Sequence, residues 1–311
     1  LSHLFEQQRA IAGSVNVTDG PRLRWRDIRS AEKAVAADIS LLGCAARRVP
    51  APGPRTLVLP FRVRLQMPVE PDLDATLARI AGDERRQFRK LRRGRDWSLE
   101  IGGEVDDLRF FYERIHLPTM ASRHGAAARS ADWPTARWSL FRRGVLLFVT
   151  ESGKRVAGAL CRIDDGGATL RMRLLGVLDG DASHYRSGAM KAVYYLTVEW
   201  AVRHGVRLLD FAGQDPFPAQ GIFQFKRRFH PRVTLPSDHY GGRRVVFRCA
   251  RDSPAVRDLL AATPMIVIDS DDRLTVVRFA DHTHPPRPDI RMRAPGIEAE
   301  RIIDLDEYFD R

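Results

Sequence analysis

The chain has 311 residues, 44% of them hydrophobic, and its 51 Lys and Arg against 39 Asp and Glu give a net charge of +12. That length and apolar content suit one large α/β domain or about two smaller ones and exclude a disordered chain. No N-terminal segment joins a charged start to an apolar run, and no stretch nears about 18 uninterrupted apolar residues, so a cytoplasmic protein without a membrane span is expected.

The positive charge favours a polyanionic partner such as RNA, or a phosphate-rich cofactor. Cys44, Cys161 and Cys249 are far apart and form no CxxC or Cys/His ligand pattern, which fits a reducing compartment.

Residues 1–54 read as an N-terminal arm, with helical patterning from Trp25 to Leu42 and a breaker-rich linker from Arg47 to Pro54. Residues 55–134 read as an N-terminal subdomain, a degenerate half of the fold that follows. In it Leu57, Leu59, Phe61, Val63 and Leu65 alternate as in one half-buried strand over Arg55–Met67. Pro71 and Asp72 open a helix expected to run to Arg93 and stop at Gly94. Its second half, with Arg95, holds seven basic residues in eleven: Arg85, Arg86, Arg89, Lys90, Arg92, Arg93 and Arg95. Like charges three and four apart repel, so this run is either a solvated face or a surface for phosphates. Trp97–Ile101 reads as a strand, and Glu104–Ile115 as a second helix that runs into Leu117–Gly125, with a loop around Trp133 and Pro134 after it.

Over residues 135–249 the pattern changes. Gly144–Glu151, Arg155–Ile163 and Ala168–Leu178 are strand-like runs joined by Ser152-Gly153-Lys154 and Asp164-Asp165-Gly166-Gly167, an antiparallel meander. A loop, Asp179–Ser187, leads to a helix from Gly188 to His204 that is apolar nearly all round and so packs deeply on the sheet. Val206–Phe211 is then a strand, placed by a crossover helix beside the last strand of the meander. A Gly/Pro loop, Ala212–Gly221, and an amphipathic segment, Ile222–Phe229, follow it. Residues 250–311 read as a C-terminal extension: a hairpin of Met265–Asp269 and Arg273–Phe279, a linker from Pro285 to Pro295, and an acidic helix over Ile297–Arg311. His282 and His284 lack a third ligand, so no metal site is assigned.

Four pieces at this spacing, over roughly Asp106–Cys249, resemble the GNAT acyltransferase superfamily and its Fem-like aminoacyl- or acyltransferases. They are Phe110-Phe111-Tyr112 with Met120–Gly125, Gly153–Gly158, Tyr185-Arg186-Ser187-Gly188-Ala189, and Gly205–Phe229 with its Asp210 and its Phe225-Lys226 pair. The resemblance implies an α/β fold with a mixed sheet whose central strands splay around the acyl donor. It also implies donor binding at Tyr185, Arg186, Ser187, Gly188 and Ala189. The coenzyme A signature, Gln/Arg-x-x-Gly-x-Gly/Ala, is eroded there, with Tyr185 at its first position and Met190 at its last.

In the Fem-like branch the donor is an aminoacyl-tRNA, and the lysine of a Phe-Lys pair, here Phe225-Lys226, stabilises the carbonyl under attack. Aminolysis of an ester passes through an oxyanion, which is an independent reason for a cation there. Asp210, Asp215 and His184 are candidate bases for the attacking amine. Arg123, His124 and Asp215 are candidates for the acceptor site, and Arg85, Arg86, Arg89, Lys90, Arg92 and Arg93 for the tRNA. The expected activity is aminoacyl transfer from tRNA to the amine of a small molecule or peptide, with no other cofactor. The alternatives are the same chemistry with acetyl- or acyl-CoA, or a non-catalytic scaffold for RNA or a protein.

Overall fold

The computed structural model describes residues 2–20, 22, 24, 37–51, 53–125 and 130–310. We number its elements in chain order as α1 (Ser2–Ala12), β1 (Ile39–Ala45), β2 (Thr56–Pro60), β3 (Val63–Pro68), α2 (Leu73–Ala78), α3 (Gly82–Arg93) and β4 (Ser98–Gly102). Three segments, Val105–Phe110, Phe111–His116 and Leu117–His124, follow without a break and together form α4; the middle one is a π turn. Next come β5 (Gly144–Glu151), β6 (Lys154–Asp164), β7 (Thr169–Val177), α5 (Ala182–Ser187), α6 (Ala189–Arg203), β8 (Leu208–Gln214) and α7 (Gly221–Arg227). The chain ends with β9 (Arg232–Thr234), β10 (Arg243–Cys249), α8 (Pro254–Ala262), β11 (Met265–Ile268), β12 (Leu274–Ala280), β13 (Ile297–Asp304) and α9 (Leu305–Asp310).

These elements fall into two compact units. The first comprises Leu1–Arg64, Gly213–Arg227 and Arg232–Arg311, and the second Leu65–Ala212 with Arg228–Pro231. In the first unit β10 pairs antiparallel with both β1 and β2, and β12 pairs antiparallel with β11 and parallel with β13. Phe247, Phe279, Val277, Leu260 and Leu305 are buried in its core.

The second unit is built on a mixed sheet in the order β4-β5-β6-β7-β8-β3. β4 to β7 run antiparallel, and β8, reached through α6, pairs parallel with β7. This is the α/β arrangement, meander followed by crossover, that the hydrophobic periods predict. Helix α6 buries Ala192 to Ala201 continuously, as expected of a helix apolar all round. On the meander, Leu108, Phe111 and Ile115 of α4 pack with Leu146, Phe148, Leu160 and Leu174.

Several elements differ from expectation, each for a tertiary reason. The strand over Arg55–Met67 is two strands, because β2 ends at Pro60, which has no N–H to continue a ladder. The helix from Pro71 to Arg93 is also two. Asp72 caps the first through Ala75 N at 2.7 Å, but Ala81 is extended and its N–H goes to Arg228 O at 2.7 Å, outside the helical ladder. The second helix, expected over Glu104–Ile115, continues to His124, since the π turn before Pro118 already departs from the i→i−4 pattern that a proline breaks. The Asp179–Ser187 loop contains α5, started by Asp181, whose side chain accepts from Ser183 N at 2.7 Å.

The acidic helix over Ile297–Arg311 is mostly strand β13, because backbone pairing with β12 overrides the helix propensity of its Glu, Ala and Arg residues. Of the helix from Trp25 to Leu42, residues 25–36 lie outside the described residues, and Ile39–Leu42 belong to β1.

Candidate active site

The opening in the sheet is set by β7. Its parallel pairing with β8 covers only Thr169↔Leu208, Leu170↔Leu209 and Arg171↔Asp210. Just beyond, Cys161 faces Met172 and Leu160 faces Leu174, so Arg173 is an extra residue on β7. A bulge of this kind bends the strand that carries it, and β7 leaves β8 there. Asp210 marks the last pair. It is fully buried, its Oδ2 accepts from Arg171 Nε at 3.0 Å, and its Oδ1 accepts from Ala212 N at 2.8 Å. With both oxygens engaged and Ala212 held at a positive φ of 64°, Asp210 has the partners of a structural carboxylate, a role the sequence leaves open beside that of a base.

Past the bulge, α4 takes over the edge of β7. Thr119 Oγ1 accepts from Val177 N at 2.9 Å and donates to Val177 O at 3.1 Å, and Leu175 O accepts from Nδ1 of His116 at 3.0 Å. The approach is so close that a Cβ on Gly176 would lie 2.4 Å from Ile115 O, which only glycine allows. His116 is 3% exposed, and its Nε2 lies 2.6 Å from Ser130 Oγ. Burial pushes the His116 imidazole below its usual value, against the opposing effect of the Leu175 carbonyl. Sequence reasoning missed both His116 and Ser130, since the pattern around them signalled only an amphipathic helix and a loop.

The expected donor loop is α5 and the first turn of α6, joined by Gly188 at φ 93°. Ala189 and Gly188 are buried, whereas Arg186 is exposed. The space over Gly188 is filled by Leu91 Cδ1, 2.8 Å from where a Cβ would stand, and by Trp97. An open pocket of about 500 Å³ beside it is lined by Arg95, Glu151, Ser183, His184, Arg186 and Ser187. Arg123 lies 3.9 Å over the ring of Tyr185, so one residue expected at the acceptor site packs on one expected at the donor site. His124 ends α4.

Residues 80–227 match the family model described as an acetyltransferase (GNAT) domain. This part of the chain is a GNAT domain. No curated protein matches the sequence. Among solved structures, L-PGS from Bacillus licheniformis aligns at 12% identity with a TM-score of 0.41, over 66% of this chain and 65% of that one. FemX aligns at 13% identity and 0.44, over 59% and 61%. A GCN5-related N-acetyltransferase from Kribbella flavida aligns at 16% identity and 0.30, over 76% and 48%. In all three, less than two thirds of the solved chain's length is covered.

The remaining expected site residues are distributed as follows. Lys226 of α7 is 7% exposed, and Phe223 on the same helix is fully buried, so Lys226 is not the surface lysine of an amphipathic helix. Phe225 is half-buried. Asp215 lies 3.8 Å from Arg62 NH2, and Arg62 NH1 donates to Gly213 O at 3.3 Å.

In the GNAT domain the basic run lies on α3. It is anchored by buried Phe88, which stacks on Tyr195 with centroids 3.7 Å apart, and by buried Glu84, which accepts from Lys191 at 2.7 Å and Arg228 at 2.9 Å. Arg86, Arg89, Lys90 and Arg93 are exposed and Arg85 is half-buried. Arg92 is ion-paired with Glu199, so part of the counter-charge the run needs comes from α6. No helix among the described residues is long and apolar enough to cross a membrane.

Proposed function

We propose that this GNAT domain is an N-acyltransferase that takes its acyl group from an aminoacyl-tRNA and forms an amide on the amine of a small molecule or peptide. The observation that carries the choice of donor is the covered edge of β7. A pantetheine arm lying between splayed strands binds as an extended chain on a free sheet edge, and here Thr119 and His116 already hold the backbone of Val177 and Leu175. Two further features support the reading. Leu91 and Trp97 fill the space over Gly188, and the chain's charge of +12 suits a polyanion. Tyr185 to Ala189 would meet the donor's terminal nucleotide and aminoacyl group, and Arg123 and His124 the acceptor.

The chemistry asked of the site is aminolysis of an ester. The Lys226 ammonium stabilises the tetrahedral oxyanion, with Phe225 fixing its surroundings, and Arg85, Arg86, Arg89, Lys90 and Arg93 hold phosphates of the RNA. Asp210 fixes the backbone at the end of the paired strands.

A donor screen tests this reading with purified protein, charged tRNA on one side and a panel of acyl-CoA thioesters on the other. The expected result is amide formation only from tRNA, with binding that weakens steeply with salt and a shallower log-log slope when Arg86, Arg89 and Arg93 are neutralised together. Lys226→Ala should lower single-turnover rates by about 10²- to 10³-fold with tRNA affinity within a few-fold, the mark of an interaction made in the transition state. Saturable acetyl-CoA binding with no affinity for tRNA overturns the donor assignment, and wild-type rates in Lys226→Ala remove the lysine from the chemistry.

A further inference from the structure

We propose that Ser130 and His116 form the proton relay of acyl transfer: Ser130 Oγ takes the proton of the attacking amine while its own hydroxyl proton passes to Nε2 of His116. The proposal rests on the acyl-transfer reading above and supplies a base in place of Asp210, whose oxygens are held by Arg171 and Ala212.

The direction of the hydrogen bonds follows from elementary chemistry. The Leu175 carbonyl, 3.0 Å from Nδ1, only accepts, so Nδ1 carries the proton. A buried ring held neutral then has its lone pair on Nε2. Ser130 Oγ, 2.6 Å away, donates to that lone pair in preference to its other acceptor, Ala131 O at 3.1 Å. Tyr112 also donates to Ala131 O, at 2.8 Å, and so steadies the carbonyl next to the serine. A hydroxyl donating to a neutral imidazole that a third group orients is the arrangement that lets a serine pass a proton inward.

Placement agrees with this role. Leu175 lies two residues past the extra Arg173, on the part of β7 that has left β8, so the pair sits where the sheet opens. The π turn Phe111–His116 ends on His116, and such turns insert a residue into a helix, often at functional sites. Ser130 is exposed and His116 is not, so among the described residues the serine hydroxyl is the accessible member of the pair.

The step balances. The amine nitrogen bonds to the ester carbon, its proton moves to Ser130 Oγ, and the serine proton moves to His116. When the carbon–oxygen bond to the donor's ribose breaks, the imidazolium returns its proton through Ser130 to the departing oxygen. A ring whose imidazolium is disfavoured by burial gives that proton back readily.

The test compares wild type, Ser130→Ala and His116→Gln in single turnover with charged tRNA and, as a second arm, acetyl-CoA, after melting curves show that each variant folds. With whichever donor reacts, both variants should lose about 10²- to 10³-fold in rate, the usual worth of a positioned acid or base. The wild-type rate should also fall through a one-proton limb below pH 6.5, and that limb should vanish in both variants. Wild-type rates in Ser130→Ala, or an unchanged acid limb, overturn the relay.

If neither donor reacts, the donor reading has failed, and nitrogen NMR of the His116 ring still decides this one. A ring protonated at Nδ1, titrating below 6.5 and shifting in Ser130→Ala sustains the relay; a ring protonated at Nε2 or titrating above 6.5 removes it.

Discussion

His116 and His284 are each gripped at both ring nitrogens, yet the two units of the chain treat them in opposite ways. His116 faces a carbonyl and a hydroxyl in an apolar setting, and burial lowers its pKa. His284 faces carboxylates on both sides, with Nε2 2.7 Å from Asp258 Oδ1 and Nδ1 2.8 Å from Asp281 Oδ1, and the Asp258 and Asp281 contacts raise its pKa. A carboxylate cannot donate, so these contacts favour the ring with both nitrogens protonated, and below its raised value His284 is a cation. Burial would raise Asp281, but hydrogen bonds from Thr283 and His284 outweigh it and hold that carboxyl well below the usual range. Arg257 adds its charge, 3.3 Å from Asp281 and paired also with Asp252 and Asp306. The same side chain is thus built as a neutral acceptor in one unit and as a structural cation in the other, and the difference lies in its neighbours.

The contrast breaks most severely at Gly176. A side chain there meets Ile115 O and Thr119 Oγ1, both within 2.8 Å, and must push α4 off β7. Gly176→Val should cost about 3 kcal/mol in denaturant unfolding and return His116 toward its ordinary value as water enters.

Glu84 is the charge-reversed counterpart of His284, a fully buried carboxylate between two cations, Lys191 and Arg228. Because both partners keep some access to water, Glu84→Ala should cost about 2 kcal/mol, less than a wholly buried pair. No loss of stability would mean that the pairs merely offset their own desolvation.

The smallest effect sharpens the comparison by its sign. The raised value of His284 means that its contribution is fully present below 6.5, its unfolded value, and is lost as pH rises through the folded one. His284→Asn should therefore destabilise by under about 1 kcal/mol near pH 5 and by nothing in alkali. His116 acts in the other direction. The folded state resists its protonation, so stability should fall as pH drops below 6.5 toward the lowered value, and His116→Gln should flatten that slope. Melting temperatures of both variants across pH 5 to 9 check the two signs together.

Much of the frame was legible in the sequence. Period-2 runs separated by Ser152-Gly153 and Asp165-Gly166-Gly167 forecast β5, β6 and β7, and the apolar helix ending at Gly205 forecast the crossover to β8. Within the candidate site, the turn at Gly188 came to notice through the family resemblance, and its φ of 93° explains why glycine stands there. The role of Asp210 was not, because a strand-end carboxylate looks alike whether its partners are Arg171 and Ala212 or a substrate.

The sequence by itself therefore determined what depends on neighbours along the chain: the order of strands and helices, their turns, the apolar faces and the dense charge of α3. Only the tertiary structure decided where β7 leaves β8, that Glu-rich β13 is a strand, and which histidine is charged. The bulge at Arg173 is defined by β6, the pairing of β13 by β12, and the state of His116 by Leu175, 59 residues away. Hydrogen-bond partners that distant leave no periodic trace in the sequence, whereas burial and pairing fix them once the chain is folded.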